Sequence, residues 1–302
     1  MEMARRYTSN DAEPRAGQTI AYKTGYFHST VACLTGEVCV ESILAASFTI
    51  QEVLMCCFSL LLISLVVTGS ISYGQTSRSA QAYYNRATES HVRGDLDSAI
   101  ADYGIAIAFD PRMAPAYFDR GNARKAKGDL DGAIDDYSRA IEVNPRDANA
   151  YNNRGIAWQD KGELEKAISD FDKAIQISPR FALAYNNRGC ARREQGELDK
   201  ALADFNQAIR FDRRLAQAYN NRGAVRYLKG DLKKVVADFD EAIRINPRYA
   251  RAYANRGLVL LLQGRRVEAE RDFERCLELD SSQKPSLEAR IKEAEQRIAA
   301  RQ

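Results

Sequence analysis

Side chains that could recognise another molecule recur in this sequence at intervals of 34 residues. One position of the interval carries an amide or, once, a carboxylate: Asn85, Asp119, Asn153, Asn187, Asn221 and Asn255. An asparagine amide offers both a hydrogen-bond donor and an acceptor, which is the complement of a peptide unit. We interpret the six residues as a ladder that grips the backbone of an extended partner segment. The alternative is that they only solvate an exposed helix face.

Two charged residue types recur at the same interval. Arginine directly follows the ladder position, at Arg86, Arg120, Arg154, Arg188, Arg222 and Arg256. Aspartate follows sixteen residues later, at Asp102, Asp136, Asp170, Asp204, Asp238 and Asp272. We expect each arginine to form a charge-assisted pair with an aspartate, because an unpaired buried arginine is costly. The alternative is a row of arginines that binds anions.

Residue patterns for catalysis or metal binding are missing from the sequence. His28 and His91 are its only histidines, and its six cysteines have no zinc, haem or redox spacing. The net charge is only +3, with acidic and basic residues interleaved, so there is no electrostatic footprint for nucleic acid. The sequence therefore predicts a protein that is not an enzyme and has no catalytic residues, metal ion or cofactor.

The recurring side chains must be positioned by six consecutive copies of one local structure. The copies follow one another without insertion or deletion and span 80–113, 114–147, 148–181, 182–215, 216–249 and 250–283. Positions four, seven, eight and eleven of each copy fall on one helical face, which predicts a first helix. Glycine at position fifteen permits a left-handed turn, and a stripe of small, aromatic and small residues predicts a second helix. Position six points almost opposite the packed face of the first helix.

This pattern resembles the tetratricopeptide repeat (TPR), a helix-turn-helix unit with aromatic, small and proline residues at set places. The third copy is typical and reads AYNNRGIAWQDKGELEKAISDFDKAIQISP from Ala150 to Pro179. The resemblance implies an all-α fold, a right-handed superhelical solenoid of paired antiparallel helices. It also implies that the first helices line the concave surface. Val235 and Cys276 replace alanines of the pattern, which predicts looser packing at these two places.

The last residues of the chain predict a single further helix. Residues 284–302 continue the register, with Leu287, Ile291 and Ala294 on the apolar face, so we expect them to cap the array. Ser286 is the predicted N-cap. The groove becomes apolar towards this end, where Leu228 and Leu258 are candidate binding residues, covered either by the capping helix or by a partner.

The region before the repeats divides into three parts. Residues 1–52 show no sustained periodicity, and we expect them to be largely disordered. Residues 53–73 are free of charge and apolar enough for a transmembrane helix or, alternatively, for the core of a signal peptide. About fifty residues precede this core, and translation from Met55 would remove them. Residues 74–79 are a predicted linker. The chain is thus expected to be a single-pass membrane protein or, after cleavage, a periplasmic or secreted one.

These observations predict a non-catalytic scaffold, tethered to a membrane or exported, that binds an extended segment of a partner protein in its groove. Two alternatives are an RNA-binding helical repeat and an accessory subunit of an enzyme complex. Three acidic residues on the inner face, Asp119, Asp160 and Glu194, argue against RNA.

Overall fold

The computed structural model describes residues 76–300, and within this range it contains α-helices, one short 3₁₀-helix (Ser281–Gln283), turns and no strand. The helices are α1 (described over 76–92), α2 (Leu96–Phe109), α3 (Ala114–Ala126), α4 (Leu130–Val143), α5 (Ala148–Asp160), α6 (Leu164–Ile177), α7 (Ala182–Glu194), α8 (Leu198–Phe211), α9 (Ala216–Leu228), α10 (Leu232–Ile245), α11 (Ala250–Leu262), α12 (Arg266–Leu279) and α13 (Lys284–Ala299). Helices α3, α5, α7, α9 and α11 each pair with the helix that follows, and α1 packs on α2 through the buried cluster of Ala87, Ala99 and Tyr103. The result is a solenoid of hairpins, which confirms the predicted all-α class.

Each hairpin turns at its glycine. The six glycines at position fifteen have φ between +77° and +84°, a conformation in which a side chain would be strained. The second helix begins two residues later, and in α4 the Asp129 carboxylate accepts a hydrogen bond from the Gly132 amide at 2.9 Å. The turn that the sequence predicts is therefore confirmed.

The two helices of a hairpin approach closely because an aromatic ring fills the space beside a glycine. In the fourth hairpin, a Cβ atom on Gly189 would lie 2.7 Å from Cε1 of Phe205, so only a residue without a side chain fits the present packing. Val235 and Cys276 are fully buried in their hairpins. The predicted loosening at these two residues is not seen.

The predicted arginine–aspartate pairs are present, and each lies within one hairpin. Arg120 donates from Nε to Oδ2 of Asp136 at 2.9 Å and from Nη2 to Oδ1 at 2.6 Å. Arg154 binds Asp170 in the same two-pronged way at 2.8 Å for both bonds. All six aspartates are exposed by 7 % or less. The guanidinium groups are thus engaged by the protein itself, which argues against a row of anion-binding arginines.

Successive hairpins stack mainly through the second helix of one hairpin and the first helix of the next, namely α2 with α3, α4 with α5, α6 with α7, α8 with α9 and α10 with α11. The first helices of neighbouring hairpins also meet. Contacts join α3 to α5, α5 to α7, α7 to α9, α9 to α11 and α11 to α13, whereas no comparable contact joins the second helices of the described hairpins. The first helices therefore form the inner side of the stack. Exposed ion pairs link three of the turns to the preceding hairpin, namely Lys127 with Asp97, Lys161 with Asp131 and Lys229 with Asp199.

Helix α13 packs on the last hairpin. Leu287 and Ala294 of α13 share a buried cluster with Leu258 and Leu261 of α11. The predicted N-cap at Ser286 is wrong, because α13 begins at Lys284 with Pro285 in its first turn, where the absent proline N–H costs nothing.

Residues 76–79, predicted as part of a linker, are helical. No proline or glycine interrupts the sequence at this point, so α1 extends past the first repeat position. The predictions for residues 1–52 and 53–73 lie outside the described residues. Within 76–300, no helix combines the length and apolar character needed to cross a membrane.

Candidate protein-binding groove

The ladder residues lie on the first helices, and four of them reach back to the preceding hairpin. In each case the side-chain Nδ2 donates to an asparagine Oδ1 that lies 31 or 35 residues earlier. The four bonds are Asn153 to Asn122 at 2.9 Å, Asn187 to Asn152 at 3.0 Å, Asn221 to Asn186 at 3.0 Å and Asn255 to Asn220 at 2.9 Å. The ladder is therefore also a connection between hairpins.

A second set of asparagines completes this connection. Asn152, Asn186 and Asn220 are exposed by only 2 % to 5 %, and each donates from Nδ2 to Oδ1 of the residue that follows it, at 3.2 to 3.4 Å. Alternating between the two sets, amide–amide bonds run without a break from Asn153 to Asn255. We call these seven residues the asparagine chain: Asn152, Asn153, Asn186, Asn187, Asn220, Asn221 and Asn255.

Side chains of other types continue the chain at both ends. At one end Asn122 accepts from Asn153 and donates to Asp119 at 3.4 Å, and Asp119 also accepts from the Tyr84 hydroxyl at 2.7 Å. At the other end Nη2 of Arg290, on α13, donates to Oδ1 of Asn255 at 2.7 Å.

Asn85 stands outside the asparagine chain. Its Oδ1 accepts from Gln81 of its own helix at 2.8 Å, and its side chain is exposed. Asp119 likewise differs from the asparagines, since its carboxylate is held by Tyr84 and Asn122. The six predicted ladder residues therefore do not form a uniform row.

The asparagine chain retains hydrogen-bonding capacity. Asn187 and Asn255 each use one of their two amide N–H groups within the protein. The oxygen of Asn187 accepts one bond, from Asn186, and has room for a second. Because the other bonds fix the orientation of each amide, the unused groups are held in place before any partner arrives.

These amides lie in an open cavity of about 560 Å³ on the first-helix side of the stack. Asn187, Asn221 and Asn255 contribute to its wall. Three arginines line the same cavity, Arg193 of α7, Arg251 of α11 and Arg290 of α13, together with one carboxylate, Glu194. This cationic character was not predicted from the sequence, although Arg251, at the second position of the sixth repeat, was a signal for it.

A second cavity of about 200 Å³ adjoins the first, and the two share Ala224, Asn255 and Arg290 in their linings. We call it the apolar cavity because leucine, valine, phenylalanine and alanine side chains form most of its wall, although Glu293 and Arg297, which pair with each other, also line it. Leu228 projects beside it with 59 % of its surface exposed, whereas Leu258 is only 9 % exposed because α13 covers it. Of the two predicted leucines, Leu228 therefore offers the accessible apolar surface.

Cys190 lines the amide cavity between Asn187 and Asn221. The Nδ2 of Asn221 lies 3.2 Å from its Sγ, and burial raises the pKa of the thiol to about 11. Such a thiol is protonated near neutral pH and is a poor nucleophile. Within residues 76–300, no group of histidine, cysteine, aspartate and glutamate side chains is arranged to hold a metal ion.

The protein is a stack of helical hairpins, and its inner side presents side chains from several repeats. This arrangement defines a solenoid repeat protein. Family models agree with this class. The model described as "TPR repeat" matches residues 121–162 and 189–230, and models described as "Tetratricopeptide repeat" match 148–181, 171–203, 216–249 and 250–282. Together these matches cover residues 121–282. The chain belongs to the tetratricopeptide repeat family, which supports a role as a protein-interaction scaffold.

Solved structures with the same fold come from several bacteria. PilF of Pseudomonas aeruginosa is 17 % identical with a TM-score of 0.60, and the alignment covers 68 % of this chain and 94 % of that one. A tetratricopeptide repeat protein of Parabacteroides merdae is 19 % identical with a TM-score of 0.57, covering 72 % and 93 %. MamA of Desulfovibrio magneticus is 18 % identical with a TM-score of 0.52, covering 57 % and 97 %. No curated protein sequence matches the chain significantly.

Proposed function

We propose that this protein is a non-catalytic scaffold that holds an extended segment of a partner protein against the asparagine chain. The observation that carries the proposal is the set of oriented amides, with unused N–H and oxygen capacity, on the wall of an open cavity of about 560 Å³. A repeat groove of this kind binds along a line and does not enclose a small substrate.

The chemistry suits a peptide backbone. An extended segment presents an N–H and a C=O at every residue, and the free groups on Asn187 and Asn255 can pair with them whatever side chains the segment carries. Side-chain contacts elsewhere in the groove would then select among partners.

Membrane tethering or export through residues 53–73 belongs to the same proposal. The charge-free apolar run in the sequence supports it. Mass spectrometry of the mature N-terminus separates the two forms, since an intact Met1 indicates an anchored protein and a start at Gln75 indicates cleavage.

The double variant Asn187→Ala, Asn255→Ala tests the role of the amides. We expect it to weaken the binding of unstructured peptides by about tenfold or more, because it removes hydrogen bonds worth about 1 kcal/mol each. The dissociation constants are measured by fluorescence anisotropy on a panel of labelled peptides, below the melting temperature of each variant.

Asn206→Ala is the matched control. Asn206 lies on α8, a second helix, and also accepts a hydrogen bond, from Arg222 at 2.8 Å, but it is not part of the groove. Its loss should leave peptide affinity unchanged. If the double variant binds every peptide as tightly as the control does, the asparagine chain is purely structural and the proposal fails.

A further inference from the structure

Arg193, Arg251 and Arg290 come from three different helices and line one cavity. We call them the arginine cluster. Like-charged groups on one wall repel one another unless anions lie between them. Proteins place arginines together in this way where carboxylates or phosphates are bound, because the planar guanidinium matches both groups.

The cluster is weakly neutralised within the described residues. Arg251 is exposed and forms no ion pair or hydrogen bond there. Arg290 donates to the neutral Asn255, and Arg193 lies 3.9 Å from Glu194, whose carboxylate also accepts from Gln159 at 2.7 Å. By contrast, the repeated arginines on the hairpins are each matched to a buried aspartate. The positive charge of the cluster is therefore available to a ligand.

The apolar cavity lies directly beside the cluster. Arg290 and Asn255 belong to both linings, so a ligand that reaches the arginines also reaches Leu228 and Tyr227. Leu228 is a large apolar side chain with 59 % of its surface in solvent. A ligand that fits both cavities must combine negative charge with an apolar group a short distance away.

We propose that the groove binds an extended protein segment in which acidic side chains are followed or preceded closely by an apolar side chain. The carboxylates would pair with the arginine cluster, the apolar group would cover Leu228, and the backbone would lie along Asn187, Asn221 and Asn255. This inference rests on the proposed function and adds the chemical class of the partner. An RNA strand would also meet positive charge, but the described groove offers Leu228 and amides instead of a row of aromatic stacking surfaces.

The test uses the full chain and four fluorescein-labelled probes measured by fluorescence anisotropy. Three are short peptides on a glycine and serine background: one with two glutamates and a leucine, one with lysines in place of the glutamates, and one with serine in place of the leucine. The fourth is a single-stranded oligouridine. We expect the first peptide to bind at least about tenfold more tightly than the other probes, and added salt to weaken its binding.

Arg251→Glu is the informative variant, because within residues 76–300 the Arg251 side chain has no ion pair or hydrogen bond whose loss would disturb the fold. It should weaken the glutamate–leucine peptide about tenfold or more, since it replaces an attraction by a repulsion. Arg248→Glu is the matched control, a charge reversal at an exposed position that lies outside both cavities. It should change the affinity by less than about twofold.

Equal binding of the lysine peptide, or an unchanged affinity in Arg251→Glu, would overturn the inference. If that lysine peptide still depends on Asn187 and Asn255, the proposed function survives without its acidic preference. If no peptide binds, both proposals fail. Binding of the oligouridine alone, lost in Arg251→Glu, would assign the cluster to RNA.

Discussion

Two recurring rows of polar side chains run along this solenoid, and they use their hydrogen-bonding groups differently. The arginine–aspartate row closes each hairpin on itself, with both prongs of the guanidinium on one buried carboxylate. The asparagine chain links the third, fourth, fifth and sixth hairpins to one another and leaves some N–H groups unused. The arginine–aspartate row is complete in all six repeats, whereas the asparagine chain spans only the third to the sixth. Recurrence in the sequence therefore does not identify the recognition row, whereas unused hydrogen-bonding capacity on an open surface does.

A similar contrast separates two kinds of arginine in this protein. Arg120, Arg154 and their equivalents are each neutralised by an aspartate sixteen residues away. The three arginines of the arginine cluster, by contrast, share their cavity with a single carboxylate, that of the exposed Glu194. The two kinds of arginine have the same charge but different roles. One stabilises a hairpin, and the other is free to attract an anionic ligand.

The largest effect is expected from breaking the arginine–aspartate row. Asp136→Ala removes a carboxylate that is 2 % exposed and accepts from both Arg120 and Arg124. We expect the free energy of unfolding to fall by about 3 kcal/mol, because two partly buried guanidinium groups lose their counter-charge. The midpoint of urea denaturation, followed by circular dichroism, measures the change.

Asp131→Ala is the control for this prediction, since Asp131 lies in the same helix and pairs with Lys161, but with 82 % of its side chain in solvent. An exposed pair contributes less than about 1 kcal/mol. If both variants lost the same free energy of unfolding, burial would not determine how much these ion pairs contribute to stability.

A smaller effect is expected from breaking the asparagine chain at a buried member. Asn186→Ala removes the Oδ1 that accepts from Asn221 at 3.0 Å and the Nδ2 that donates to Asn187. We expect a loss of about 1 to 2 kcal/mol, because polar groups at the hairpin junction lose their partner. Hydrogen exchange should show reduced protection of backbone amides in both α7 and α9. Reduced protection in only one of the two hairpins would contradict the prediction.

The smallest effect concerns the thiol within the groove and leaves the fold intact. Because burial raises the pKa of Cys190 to about 11, a larger fraction stays protonated than in an ordinary cysteine, and alkylation by iodoacetamide should accelerate only as the pH approaches 11. Peptide mapping by mass spectrometry measures the alkylation of Cys190 separately from that of the other cysteines. The positive charges of Arg193 and Arg251 lower this pKa, so Arg251→Glu should move the profile to higher pH. A midpoint near 9 in the unmodified chain would place the thiol in solvent.

Most of the fold could be predicted because its determinants are local. Glycine at position fifteen, the aromatic ring that packs on a small residue and the arginine sixteen residues from its aspartate all act within one hairpin. A sequence period is enough to find such relations. The start of α13 was harder to predict, because Ser286 and Pro285 both favour the beginning of a helix. In the structure a 3₁₀-helix at Ser281–Gln283, capped by Asp280, leads directly into α13 at Lys284.

The sequence alone determined the family, the hairpin and its charge pairs, since each depends on residues a fixed short distance apart on one helix or across one turn. Only the tertiary structure decided how Asn187 meets Asn152, how Arg193, Arg251 and Arg290 come to line one cavity, and that Leu228 stays exposed while Leu258 is covered. The physical reason is that these relations depend on how hairpins stack. Stacking is set by packing over the whole inter-helix surface, which no single spacing in the sequence records.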